Sequence, residues 1–300
     1  NNEIAIRLGA FFGIFAVMAG GELVAPRRVL QQSKAVRWYS NLGIVVLNTV
    51  LARIVFPLAP VAVAIVAAER GWGVFNIADV PPGLAIVAAV VILDFAIYLQ
   101  HVMVHAVPML WRLHRMHHAD LDFDVTTGAR FHPVEIVLSV AIKMAVIVLL
   151  GAPAVAVLIF EVVLNATAMF NHSNVKLPLG LDRVLRWLVV TPDMHRVHHS
   201  VLPHETNSNF GFNLPWWDRL FGTYRAQPEE GHQGRAADRD KIRKQDGIGE
   251  GPLFHEKQRP RRHAMHQQGA DEDRSYRVAR DSQRHHGDQR PAGDGTVGRF

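Results

Sequence analysis

Long apolar segments occupy most of the first 225 residues and set the strongest limit on what this chain can fold into. A helix needs about 20 apolar residues to cross the hydrocarbon core of a bilayer. The sequence therefore predicts an all-α transmembrane bundle of several spans. The second of the five runs contains Pro57 and Pro60, and we expect it to form one kinked span rather than two half-spans. The apolar runs are 4–25, 41–68, 83–100, 134–150 and 154–170.

The composition changes near residue 225, where the apolar runs stop and charged residues crowd together. Two parts are predicted: a membrane domain over residues 1–225 and a polar tail over residues 226–300. The tail has too little apolar content to bury a core, so we expect it to be disordered. One hypothesis is that the tail is translated from a shifted reading frame. Comparing the coding DNA in its other frames tests this, and finding no family-like sequence there would contradict it.

The chain has a net charge of +5 and no cysteine. Without thiols, disulfides, thiolate-bound zinc and Cys-ligated iron–sulfur clusters are excluded, so any metal must bind nitrogen or oxygen. The basic residues are scattered or flank apolar runs, which favours a membrane surface over nucleic acid. We see no short signal peptide, so the first run is expected to be a retained membrane anchor.

A basic cluster after the first run predicts the orientation of the bundle. Short loops rich in Lys and Arg are typical of the cytoplasmic side, and this loop contains Arg27, Arg28, Lys34 and Arg37. If the second run crosses the membrane once, the crossings that follow place His101 and His172 on that same side. The candidate site is therefore expected at the cytoplasmic face.

Histidines crowd between positions 101 and 204, and their spacing is more informative than their number. Residues three or four apart lie on one face of a helix, so such histidines turn their imidazoles to the same side. One pair at i, i+4 and two triplets at i, i+3, i+4 have this spacing. They are His101 and His105, then His114, His117 and His118, then His195, His198 and His199.

These eight histidines and His172 exceed what a single zinc needs, since catalytic zinc usually takes three protein ligands. Two metal ions are therefore predicted, each with four or five nitrogen ligands. Neutral imidazole suits iron, copper, nickel or zinc, so the ligand type alone leaves the metal open. Chance clustering does not explain two triplets of identical form. His204 and the histidines of the tail form no such triplet and are not expected to bind metal.

The order of these histidines resembles the fatty acid hydroxylase and sterol desaturase superfamily of membrane oxygenases, whose pattern is His-x3-His followed by two His-x2-His-His groups. The resemblance covers roughly residues 40–225 and extends to the flanking motifs. Those motifs are Asp94-Phe95-Ala96-Ile97-Tyr98, Leu110-Trp111-Arg112, Arg130-Phe131-His132-Pro133, Asn171-His172, Thr191-Pro192-Asp193-Met194, Asn209-Phe210-Gly211 and Trp217-Asp218-Arg219-Leu220-Phe221-Gly222-Thr223-Tyr224.

The resemblance implies two iron ions, dioxygen as co-substrate, and a helical bundle whose cytoplasmic cap carries the histidines. Chemistry favours iron as well, because redox-inert zinc cannot reduce dioxygen to attack an unactivated C–H bond. Some relatives have a further histidine where this chain has Lys176. Water or Asn171 would then complete a ligand shell.

Polar residues near the histidines are candidates for supporting roles. Asp94 lies on the same helical face as His101, and we expect its carboxylate to accept an imidazole N–H. The alternative is an ion pair with Arg53. Asn209 and Asp218 are expected to hold the protein around the ligands through hydrogen bonds.

Two further expectations concern histidine and charge within the spans. His132 could be a tenth ligand, a hydrogen-bond partner of a ligand or an interface residue, and the sequence does not choose among them. Lys143 and Glu161 are expected to pair with each other inside the membrane.

The sequence thus predicts a membrane-bound, non-haem di-iron oxygenase that hydroxylates or desaturates a C–H bond of a lipid or sterol-like substrate. It has no haem, flavin or nicotinamide motif, so electrons are expected from a separate reductase, ferredoxin or cytochrome. A zinc-dependent membrane hydrolase is one alternative, although no His-Glu-x-x-His is present. A metal transporter is another, although its ligands should lie near the bilayer midplane.

Overall fold

An α-helix satisfies its backbone hydrogen bonds within a single segment, which an apolar segment in a membrane requires. The apolar runs of this chain all form helices. The computed structural model describes residues 2–120 and 122–229, which contain twelve α-helices, one 3-10 turn and no β-strand. Within this part of the chain, a single antiparallel bridge joins Pro26 to Val175. Apart from its first four residues, the predicted tail lies outside the described residues, and so does the disorder predicted for it.

Five segments are long and apolar enough to cross a membrane, in agreement with the five apolar runs of the sequence. They are α1, the segment from α2 to α4, α5, α7 and α8. The helices are α1 (Asn2–Val24), α2 (Lys34–Val55), α3 (Pro60–Glu69), α4 (Val74–Ile77), α5 (Pro82–Ala106), α6 (Pro108–His118), α7 (Pro133–Leu150), α8 (Ala154–Asn171), α9 (Leu179–Leu185), α10 (Pro192–His198), α11 (Pro203–Thr206) and α12 (Trp216–Leu220).

The second segment is interrupted where its prolines lie. α2 ends at Val55, and α3 begins at Pro60, which occupies the start of that helix. Proline lacks the N–H that a helix interior requires, so it is tolerated at a first turn but ends a helix that precedes it. The predicted kink is therefore a complete break over residues 56–59.

Small side chains let the helices of the bundle pack closely. α5 contacts both α7 and α8, α3 packs against the same pair, and α1 and α2 lie against α8 and α7 respectively. The core contains fully buried Ala89 and Ala156 beside the ring of Phe160. Phe12 and Ile54, by contrast, are 62% and 71% exposed on the outer surface. An apolar exterior around a packed core is what contact with lipid tails requires.

A tight turn joins α7 to α8. Gly151 ends α7 with φ of 66°, a left-handed conformation that glycine adopts without strain. A Cβ at this position would lie 2.6 Å from the carbonyl oxygen of Trp72. The glycine therefore allows both the turn and the close approach of the loop between α3 and α4, which contains Trp72.

The predicted ion pair within the bundle is confirmed. Lys143 Nζ on α7 lies 2.5 Å from Glu161 Oε1 on α8, and Arg7 of α1 contacts the other carboxylate oxygen at 2.6 Å. Charges in lipid are costly unless paired, so this group fixes α1 and α7 to α8.

The ends of several helices meet at one end of the bundle, which we call the histidine end. The last residues of α5 and α8 and the first residues of α7 lie there, together with α6 and α10. These are the elements that carry the predicted site.

Candidate metal centre

The nine histidines predicted as ligands converge into two adjacent groups. Within each group the candidate ligand nitrogens all lie within 4.8 Å of one another. The five-histidine group contains His101, His105, His114, His118 and His198. The four-histidine group contains His117, His172, His195 and His199.

Each triplet is divided between the two groups. In α6, His114 and His118 turn to the five-histidine group, whereas His117 turns to the other. In α10 and the residue that follows it the division is reversed, because His195 and His199 enter the four-histidine group and His198 the other. The i, i+4 partners of a triplet thus stay together, and the i+3 residue, turned to one side of them, reaches the neighbouring group.

The two groups are in direct contact. The rings of His118 and His199 are stacked with their centroids 4.4 Å apart, and those of His117 and His199 lie 4.6 Å apart. Two ions bound in these groups would therefore be neighbours rather than independent sites.

Hydrogen bonds on the outer side of the rings fix their tautomers. The Nδ1 atoms of four histidines lie within 3.2 Å of backbone carbonyl oxygens, which can only accept a hydrogen bond. Each Nδ1 must therefore carry the hydrogen, and each neutral ring keeps its lone pair on Nε2. The pairs are His101 with Phe210, His117 with Arg130, His172 with Ala168, and His198 with Ser208.

The inward nitrogens show why these groups fit a metal ion. Nε2 of His117 and Nε2 of His172 are 3.1 Å apart, yet neither neutral ring has a hydrogen left to donate. Nitrogens that bind one metal at about 2.1 Å and at right angles lie about 3 Å apart. Nε2 of His101 and Nε2 of His198 are buried and have no hydrogen-bond partner in the described part of the chain. Lone pairs that face each other with no hydrogen between them would repel. A cation bound between these nitrogens accounts for the arrangement.

Burial keeps these rings in the form that binds metals. Desolvation, reinforced by the neighbouring imidazoles, holds the pKa of His117, His195 and His199 well below the usual value for histidine. Burial also lowers the pKa of His172 to about 3. All four are therefore neutral near pH 7, with lone pairs available for coordination.

Comparison with known proteins finds a family that is similar to the part of the chain carrying this site. The model of the fatty acid hydroxylase family matches residues 86–223, which include all nine histidines. This part of the chain is similar to the fatty acid hydroxylase family. Together with the five apolar segments, this similarity indicates an integral membrane protein.

Individual relatives support the same family. An ornithine lipid hydroxylase of Rhizobium tropici is 34% identical over 149 residues, covering 49% of this chain and 44% of the relative. Alkylglycerol monooxygenases of Xenopus tropicalis and Homo sapiens are each 31% identical over 140 residues, covering 46% of this chain and 30% of theirs. The chain thus spans less than half the length of these relatives. No solved structure matches.

Asp94 has a partner that the sequence did not predict. Its Oδ2 accepts a hydrogen bond of 2.7 Å from the indole Nε1 of Trp217. Among the described residues, no imidazole lies within hydrogen-bond distance of Asp94, and Arg53 is exposed elsewhere on α2. Both expectations for Asp94 were wrong, because the chain returns after α10 and brings α12 against the face of α5 where Asp94 lies.

His132 acts at a helix terminus. It precedes Pro133 at the start of α7, and its Nδ1 accepts a hydrogen bond of 3.2 Å from the backbone N–H of Val134. The residue belongs to neither histidine group. The structure therefore gives it the role of a helix cap rather than that of a tenth ligand.

Asn171, Asn209 and Asp218 surround the groups through backbone contacts. Asn171 is fully buried beside His172 and donates to the carbonyl of Phe212 at 3.0 Å. Asn209, with φ of 51°, donates to the carbonyl of Met194, the residue before His195, at 3.0 Å. Each contact ties a neighbour of a histidine to the segment that follows α10.

Asp218 supports His101 through one intermediate residue. Its Oδ1 accepts the backbone N–H of Phe210 at 2.8 Å, and its Oδ2 accepts that of Gly211 at the same distance. The carbonyl of Phe210 in turn accepts Nδ1–H of His101. Desolvation raises the pKa of the Asp218 carboxyl, although these hydrogen bonds oppose the shift.

Sequence reasoning missed Glu135 and a group of buried charges at the histidine end. Glu135 accepts a hydrogen bond from His114 Nδ1 at 2.6 Å, and its position two residues after Pro133 of the His-Pro motif was the available signal. The buried charges, which we call the ion network, join loops far apart in sequence, so no local pattern marks them. The ion network consists of Glu22, Arg27, Arg37, Asp120, Asp124 and Asp193.

Proposed function

We propose that this protein is a membrane-bound, non-haem di-iron oxygenase that uses dioxygen and external electrons to hydroxylate a C–H bond of a lipid. The observation that carries the proposal is the pair of adjacent imidazole groups whose inward nitrogens lack hydrogen-bond donors. The relatives' names, ornithine lipid hydroxylase and alkylglycerol monooxygenase, support a lipid substrate and a monooxygenase reaction.

The histidines would bind the metal ions, and their outer hydrogen-bond partners would hold them in place. The five-histidine group and the four-histidine group would each hold one iron ion. Two bound irons supply the capacity to reduce dioxygen and oxidise a C–H bond, which no side chain provides alone. Outer backbone carbonyls hold four of the rings in one tautomer and orientation, so their lone pairs point inward before a metal binds. Burial of these rings excludes water that would compete for the lone pairs.

The position of the site suits an apolar substrate. Three of the candidate ligands lie at the ends of α5 and α8, two of the membrane segments, so an acyl chain in the bilayer would be adjacent to the site. Desaturation would use the same hydrogen abstraction from carbon, and we propose hydroxylation because both named relatives are oxygen-inserting enzymes. Electrons would come from a separate reductase, ferredoxin or cytochrome.

A combined metal and product measurement tests this function. The protein purified from iron-supplemented cells should contain about two irons per chain. Membranes holding it should convert a lipid to a product that retains one atom of ¹⁸O from ¹⁸O₂, whereas membranes holding His198→Ala should not. Stoichiometric zinc with oxygen-independent activity would indicate the hydrolase. Metal uptake into vesicles without a product would indicate the transporter.

We also propose that the histidine end faces the cytoplasm. The support is the basic loop between α1 and α2, although Arg27 and Arg37 also form buried ion pairs with Asp193 and Asp120. The chain contains no cysteine, so single cysteines can be introduced without background. Leu181 is 49% exposed on α9, shortly after His172 in the chain. Labelling of Leu181→Cys by an impermeant thiol reagent only after cell lysis supports the proposal, and labelling of intact cells contradicts it.

A further inference from the structure

Glu135 is a buried carboxylate whose described contacts centre on one candidate ligand. It is 4% exposed, and its Oε1 lies 2.6 Å from Nδ1 of His114, which belongs to the five-histidine group. No lysine or arginine pairs with it in the described part of the chain, and its Oε2 is buried without a partner. The carboxylate is therefore directed at the imidazole rather than at a neighbouring cation.

The outer partners of the other rings are neutral. Backbone carbonyls accept from His101, His117, His172 and His198, and the side-chain amide oxygen of Asn207 lies 3.3 Å from Nδ1 of His105. Only His114, among the rings whose outer nitrogen has such a contact, meets a carboxylate. The four-histidine group has no equivalent in the described residues. The two groups thus differ in the charge of the partners hydrogen-bonded to their ligands.

The position of Glu135 in its helix explains how a buried carboxylate is tolerated. It lies in the first turn of α7, which is 18 residues long and begins at Pro133. Unpaired N–H groups and the helix dipole favour negative charge at this end. The helix can thus stabilise the anion without the cation that would otherwise compete with His114.

We propose that Glu135 is a positioning residue that makes the two metal sites unequal. A carboxylate that accepts Nδ1–H fixes the orientation of the ring and increases electron density on Nε2. The five-histidine group would therefore bind its metal more tightly and hold iron at a lower reduction potential than it would without Glu135. This inference rests on the proposed di-iron function, since it concerns an ion held by His114.

The substitution Glu135→Gln tests the proposal with little change in shape. Loss of such an outer carboxylate typically costs about 10 to 100-fold in metal affinity. We expect a loss of that order for one of two cobalt(II) ions, measured from the cobalt electronic spectrum in the purified full-length protein. In ⁵⁷Fe-loaded protein, one of two Mössbauer doublets should shift, and the reduction potential of that iron should rise.

A second pair of variants separates tuning from helix stabilisation. Glu135→Asp keeps a negative charge at the start of α7 but withdraws it from His114, so it should reproduce the Gln spectra. If the carboxylate only stabilises α7, the Asp variant will resemble the unsubstituted protein, which overturns the proposal. Adding Asn207→Asp to Glu135→Gln places a carboxylate beside His105 of the same group, and partial recovery of the reduction potential is expected.

The controls distinguish this proposal from the proposed function. Unsubstituted protein that binds no iron would refute the di-iron function, whatever Glu135 does. Two irons with identical spectra and potentials in Glu135→Gln and unsubstituted protein would refute only the role of Glu135. If Glu135→Gln does not accumulate in membranes, the comparison of Glu135→Asp with unsubstituted protein tests the role of Glu135 in its place.

Discussion

The histidine groups and the ion network lie side by side at one end of the bundle, but they are built in opposite ways. Burial keeps His117, His195 and His199 neutral near pH 7, and eight of the nine histidines come from short segments with regular spacing. The ion network is charged and joins positions far apart, as when Glu22 accepts the backbone N–H groups of both Val125 and Asn174. The histidines can bind metals, whereas the network holds α10 and the segment after α6 in place beside them.

The two regions also differ in their relation to the family. All nine histidines lie within the matched residues 86–223, whereas Glu22, Arg27 and Arg37 precede them. Those three residues contact Val125 and Asp124, after α6, and Asp193, just before His195. The helices outside the family match therefore contribute to the shape of the site without supplying a candidate ligand.

Removing one histidine should have the largest effect, because it should abolish turnover and reduce iron binding without preventing folding. His198→Ala or His117→Ala should abolish turnover and reduce iron from about two to about one per chain, because each deletes one lone pair from one group. The protein should remain in the membrane, since the outer network is untouched. Iron analysis and turnover per folded molecule measure this. His204→Ala, exposed and outside both groups, is the control; retained turnover in either variant would contradict the metal site.

Removing a charge from the ion network should affect stability first. Arg37 lies 2.8 Å from Asp120 and 2.5 Å from Asp124, and its side chain is 3% exposed. Loss of one partner of a buried ion pair costs about 3–5 kcal/mol, because the remaining charges are left unpaired. Arg37→Ala should therefore lower the thermal unfolding temperature in detergent and reduce both irons together.

The matched control for this variant lies on the same helix. Arg53 is exposed on α2, so Arg53→Ala should leave the unfolding temperature nearly unchanged. Equal losses in the two variants would show that the network does not support the site.

These regions also show what sequence alone could predict. The spans and the eight histidines of the pair and the two triplets follow local rules, since apolar length and i, i+4 spacing act within one helix. The division of each triplet between two groups depends on how helices meet, which spacing does not encode. The same holds for Asp94, because its partner Trp217 is far away in the sequence.

Asp94→Asn should have a moderate effect that its observed partner explains. The carboxylate accepts the Trp217 indole N–H, and a hydrogen bond to a charged group contributes about 1.5–3 kcal/mol. Asparagine can still accept this bond, so we expect a loss below that range and normal iron content. Trp217→Phe removes the donor and should lower stability further. A fall in iron of about 10-fold or more in Asp94→Asn would restore a direct role at the metal site.

Truncation after residue 229 should have the smallest effect. All nine histidines and the outer partners identified for them lie at or before Phe210, and the contacts of Asn209 reach only to Arg225. Ending the chain at Glu229 also keeps its backbone N–H bond of 2.6 Å to Glu205. Because the removed sequence is too polar to supply a core, iron content and unfolding temperature should match the full-length protein. Loss of iron on truncation would show that residues 230–300 contribute to the site, and would make the proposed boundary wrong.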